Sequence, residues 1–93
     1  MTQEIFRAAA VFTNSIVNLD LRKSVQSAVI EGIGERPNSE RWMVSISECD
    51  ERPVYLIAIE GPNQFTWKQE FFGPGEQDPD FIREVVSTAV RSR

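Results

Sequence analysis

Histidine does not occur in this chain of 93 residues, and cysteine occurs once, at Cys49. Without histidine there is no His-activated serine or cysteine nucleophile and no imidazole base, and the commonest transition-metal ligand is missing. A lone cysteine excludes an internal disulfide and a thiolate zinc cluster, and it agrees with a reducing compartment. No uninterrupted apolar run reaches the roughly 18 residues a membrane-spanning helix needs. The first residues place Glu4 ahead of any basic residue, which is not how a signal peptide begins. These absences lead us to expect a soluble, cytoplasmic protein with no membrane association.

Basic charge is also scarce. Ten Lys and Arg stand against 14 Asp and Glu, for a formal charge of -4 and a sequence pI of about 4.8. The basic residues are dispersed, with no run longer than Arg22-Lys23. Such a surface repels phosphate, so sequence-independent nucleic-acid binding is disfavoured. What is present is ordinary for a folded globule: apolar residues make up 41% and aromatics 10% of the chain. We read residues 1–93 as a single small α+β domain.

Glycine and proline are missing from residues 2–31, which permits helix throughout. Ile5, Ala9, Phe12, Ile16 and Leu19 follow the spacing of one helical face. Leu21, Val25, Ala28 and Val29 follow it too, on a stripe turned by about half a revolution at ~100° per residue. The phase jump predicts two N-terminal helices broken at Asn18 to Asp20, with Asp20 as N-cap of the second. The β-branched Val11, Thr13, Ile16 and Val17 leave a strand as the competing assignment. Gly32 or Gly34 ends the segment and Pro37 opens a loop.

Three antiparallel strands are expected next, as a meander. Trp42, Val44 and Ile46 alternate with Met43, Ser45 and Ser47. The segment Pro53 to Glu60 is apolar on both sides, as a central strand is: Val54, Leu56 and Ala58 on one, Tyr55, Ile57 and Ile59 on the other. In "FTWKQEFF", Phe65, Trp67 and Phe71 share one face and read as core, while Thr66, Lys68 and Glu70 share the other. Phe72 falls off that alternation. A last helix begins at "DPDF", with Asp78 as N-cap, Pro79 at its first position and a stripe through Phe81, Ile82, Val85, Val86, Ala89 and Val90. The predicted order is α-α-β-β-β-α.

Candidate chemistry is thin. Glu48, Asp50 and Glu51 cluster at the first hairpin turn, where acids keep a turn hydrated, and no metal site is assigned to them. Glu60, Lys68 and Glu70 on neighbouring strands have the composition of a carboxylate-dependent site. Lys68 and Glu70 stand in the reverse of the usual order, however, and cross-strand charge pairing on a solvent face accounts for them better. The "GIG" of residues 32–34 follows a helix instead of a strand, so it is no phosphate loop. Cys49 reads as a small apolar residue at a strand end.

The helix–three strands–helix order is similar to that of double-stranded-RNA-binding domains. Such a domain carries basic residues at the start of its last helix, where this chain has Glu76, Asp78 and Asp80. The resemblance therefore stops at element order. The expectation is a non-catalytic protein-binding module of inhibitor, chaperone or adaptor type, with no cofactor, acting on a protein partner or by self-association as a homodimer. The alternatives are a nucleic-acid-binding domain and a carboxylate-dependent enzyme subunit. Contacts are expected at Lys68, Glu70 and Phe72, and helices packed on one sheet face would leave the apolar other face as an interface.

Overall fold

The phase jump at Asn18 to Asp20 marks a change from strand to helix. The computed structural model describes residues 6–7, 10–36, 40–49 and 54–91. Its elements are β1 (Phe6–Arg7), β2 (Ala10–Asn14), α1 (Leu19–Ile33), β3 (Glu35–Arg36), β4 (Trp42–Glu48), β5 (Val54–Glu60), β6 (Thr66–Phe72), α2 (Gly73–Glu76) and α3 (Pro79–Arg91). The α+β class stands, but the sheet has four strands, not three, and one long N-terminal helix replaces the expected pair. β2 runs parallel to β4, with Phe12 beside Val44 and Asn14 beside Ile46, and α1 provides the crossover. The expected antiparallel meander of β4, β5 and β6 forms as read. A separate two-stranded pairing joins β1 to β3.

The helix starts earlier than Asp20. Asn18 is the N-cap, its side-chain oxygen accepting the Leu21 N–H at 3.0 Å. Asn14 ties the end of β2 to this helix: its Nδ2 donates to the Arg22 carbonyl at 3.1 Å and to Gln26 Oε1 at 3.2 Å. Arg22 Nε returns a bond to the Ile16 carbonyl at 2.7 Å, closing the corner. At the other end Gly34, with φ 81°, is the C-cap, and its N–H bonds the Ile30 carbonyl. Pro37 lies outside the described residues. The last helix begins as its sequence predicts: Asp78 Oδ1 accepts the Asp80 N–H at 2.8 Å, and the Asp78 carbonyl accepts the Ile82 N–H at 3.0 Å.

Both long helices lie on one face of the sheet. The core joins Val25, Ala28, Val29 and Ile33 of α1 and Ile82, Val86 and Val90 of α3 to Trp42, Val44, Ile46, Tyr55, Ile57, Ile59 and Phe71 of the strands. Trp67 and Phe65 pack against it half-buried, so the aromatic face of "FTWKQEFF" is core as expected. The hairpin between β5 and β6 turns on Asn63 and Gln64, at φ 60° and 65°, with Phe65 N–H bonded to the Pro62 carbonyl at 3.2 Å. Both central residues lie in the left-handed region, as those of a type I′ turn do, within a three-residue connection closed by the Gly61 N–H on the Phe65 carbonyl. No helix of the described residues is long and apolar enough to cross a membrane.

Candidate functional site

With α1 and α3 on one side, the other side of the sheet carries no described element. Side chains alternate along each strand, so the registers dictate what this bare face displays. One row runs Met43, Glu60, Thr66; the next runs Thr13, Ser45, Ala58, Lys68; the third runs Ser47, Leu56, Glu70; the last sets exposed Phe72 beside Val54, which is itself buried. Three large apolar side chains stand out into solvent: Met43 is 55% exposed, Phe72 45% and Leu56 36%. They are spread over three strands and frame a centre of small residues.

That centre is shallow because Ser45 and Ala58 are short. Between them, Met43, Thr13 and Glu60 enclose a depression of about 120 Å³. A second hollow, of about 370 Å³, opens at the β5–β6 end around Glu60, Thr66 and Lys68. Lys68 is the basic residue of this face, with Glu60 on one diagonal and Glu70 two residues along its own strand. Among the described residues none of these three is in an ion pair; the ion pairs centre on Arg83, with Asp80 at 3.1 Å and Glu31 at 3.7 Å. The charges of the face are therefore available to a ligand.

The three residues expected to make contacts, Lys68, Glu70 and Phe72, stand together in alternate positions of β6 on this bare face. Phe72 is off the core alternation because it continues the exposed row, opposite Val54. The sequence places Leu56 on one of the two apolar faces of the central strand without deciding which face is open, and it does not join Met43 to that surface. The register joins them: with Gly61 bonded to Phe65 across the connection Pro62 to Gln64, Leu56 falls beside Glu70, and Met43 follows beside Glu60.

The other candidate chemistries are placed as follows. Among the described residues, no group of three or more His, Cys, Asp or Glu is arranged to hold a metal ion. Asp50 and Glu51 of the first hairpin turn lie outside the described residues, while Glu48 accepts the Val17 N–H at 3.1 Å. Cys49 is exposed at the end of β4, not tucked away as a small apolar residue would be. Burial raises the Tyr55 hydroxyl above the ordinary value of 10.0, and the charge of Glu48, its cross-strand neighbour, pushes the same way. Tyr55 faces the core, away from the bare face. Comparison with protein-family models, curated proteins and solved structures gives no match.

Proposed function

We propose that this chain is a non-catalytic protein-binding module, and that the bare face of its sheet is the surface it presents. The observation that carries this is the one-sided layering: three large apolar side chains on three strands stay in solvent on a face that no described element covers. A sheet of mixed strands with both helices on one side has no structural need for Met43, Leu56 and Phe72 to point outward. Burying them against a partner contributes roughly 1.5–3 kcal/mol each, enough to anchor a small interface. Glu60 and Glu70 surrounding one Lys68 set the polarity of the rim and favour a partner of basic or apolar character.

The test is affinity capture of partners from the source cells by the tagged chain, in parallel with Leu56→Asp and Phe72→Asp. Both positions are exposed, so both variants should remain folded, which circular dichroism at the capture temperature checks. The proposal expects one protein to be retained stoichiometrically through a high-salt wash by the wild type and lost by both variants. Equal retention by all three forms, or retention of nothing, sinks it.

A further inference from the structure

The strand order leaves β6 at one edge of the sheet. Its pairing with β5 runs unbroken from Thr66 to Phe72, without proline, glycine or bulge, so the outer edge is straight enough to receive another strand. Two hydrogen bonds fix which backbone groups point outward. Gly61 N–H donates to the Phe65 carbonyl and Cys49 N–H to the Val54 carbonyl, each at 2.9 Å. The alternation of an antiparallel ladder then gives Trp67, Gln69 and Phe71 the bonds to β5, and turns the N–H and C=O of Thr66, Lys68 and Glu70 outward from the sheet. The Phe72 N–H confirms that direction, since it donates to Glu76 Oε1 at 2.8 Å, outside the sheet.

We infer that the chain forms a two-fold dimer by antiparallel pairing of β6 with β6 of a second copy, centred on Gln69. Only outward-facing residues can exchange bonds, so a symmetric pairing can be centred on Lys68, on Gln69 or on Glu70. Centring on Lys68 sets lysine opposite lysine, and centring on Glu70 sets acid opposite acid. Centring on Gln69 sets Lys68 opposite the second copy's Glu70, and Glu70 opposite the second copy's Lys68. Two opposite-charge pairs then stand at cross-strand distance on the bare face. An edge lysine ordinarily guards against pairing, and here Glu70 two residues on cancels the guard.

The helix side of this edge fits the same register. An open groove of about 360 Å³ runs between β6 and α3, with Trp67, Val85 and Ala89 as its apolar walls and Gln69, Glu84 and Thr88 as its polar ones. The Gln69-centred pairing brings Trp67 opposite the second copy's Phe71 and closes each groove with the other copy's edge. Directly opposed residues of antiparallel strands share a face, so both pairs of long helices fall on one side. Twice the four strands of each copy then form one continuous sheet of eight. This assembly uses the strand's edge together with the Lys68 and Glu70 charges of the face, and it leaves Met43, Leu56 and Glu60 open to a partner.

Sedimentation velocity over a concentration series tests it, with the wild type, Lys68→Glu, Glu70→Lys, the double swap K68E/E70K, and an equimolar mixture of the two single variants. The wild type is expected at about twice the 10.6 kDa chain mass. Each single variant sets like charges opposite one another twice, and should raise the dissociation constant about tenfold or more. The mixture and the double swap restore opposite charges at both positions, and both should recover the dimer. A wild type that stays monomeric at millimolar concentration overturns the inference. So does a dimer indifferent to charge reversal, or single variants that keep the wild-type circular dichroism yet do not dimerise on mixing. If one single variant fails to fold, the other and the double swap decide.

Discussion

Gly32 and Val86 meet where α1 crosses α3 with no room for another atom. A Cβ on Gly32 would stand 2.8 Å from the Val86 Cβ and 2.9 Å from the Arg83 carbonyl oxygen. Gly32→Ala gains up to about 1 kcal/mol of helix propensity, while forcing the helices apart costs about 1–3 kcal/mol. The carbonyl cannot rotate away, so the clash wins, and a net loss of about 1–2 kcal/mol is expected in urea unfolding. Gly75→Ala is the control, because nothing lies within 4 Å of a Cβ there, and it should be neutral or better.

Gln64 offers the opposite opportunity. It sits at φ 65° in the second central position of the β5–β6 turn, after Asn63. A side chain in that left-handed region is strained, and Asn-Gly is the preferred pair for this turn. Gln64→Gly should raise stability by about 0.5–1 kcal/mol, seen as a higher denaturant midpoint with an unchanged slope.

Phe71 and Phe72 are chain neighbours with opposite roles. Phe71 is fully buried, edge-on to Phe81 with ring centroids 6.3 Å apart, whereas Phe72 is 45% exposed. Phe71→Ala should cost about 3–5 kcal/mol, and Phe72→Ala under about 1 kcal/mol. Thermal melts of the two variants separate core from surface at this point of the strand, and equal losses would contradict the register of β6.

Tyr55 is the only tyrosine in the chain, so its ionisation can be followed by ultraviolet absorbance without assignment. Its folded-state pKa lies above the ordinary 10.0. The folded state then holds this proton more tightly than the unfolded state. Stability from this group is complete below about pH 10 and is lost as pH rises past it, because the unfolded chain ionises first. Phenolate should appear above pH 10 and late, and Tyr55→Phe should flatten this part of the alkaline stability loss. A midpoint at or below 10 would contradict the burial.

The meander was legible because its alternation is local: Trp42, Val44 and Ile46 face in, and every second residue between them faces out. The last helix was legible because Asp78 and Pro79 announce it. β2 was legible only as the competing assignment that Val11 and Thr13 left open, and the reason it was not preferred is physical. Its partner is β4, reached only across α1, so apart from β-branched Val11 and Thr13 the pairing that makes it a strand leaves no local mark near Ala10 to Asn14. Phe12, Ile16 and Leu19 share a helical spacing by coincidence; Phe12 packs on the core from a strand, Ile16 is buried in the connection, and Leu19 is 61% exposed. Residues Lys68, Glu70 and Phe72 could be placed on one face from their alternation. That Met43 and Leu56 complete the surface depends on which face the helices take, a choice made only in three dimensions.

The parallel crossover through α1 also orders events in time. β4, β5 and β6 can zip through neighbouring hairpins, one of them closed by a four-residue turn from Pro62 to Phe65. β2 gains its ladder only once β4 exists and α1 has returned the chain across the sheet, so its docking is the late, non-local step of assembly. Run backwards, the same logic makes it the first to leave. In native-state hydrogen exchange, amides held by the β2–β4 pairing, including Ser15 N–H on the Ile46 carbonyl, should lose protection before those of β5. The N-terminal edge is thereby the domain's point of opening, and the three-stranded meander its last shelter.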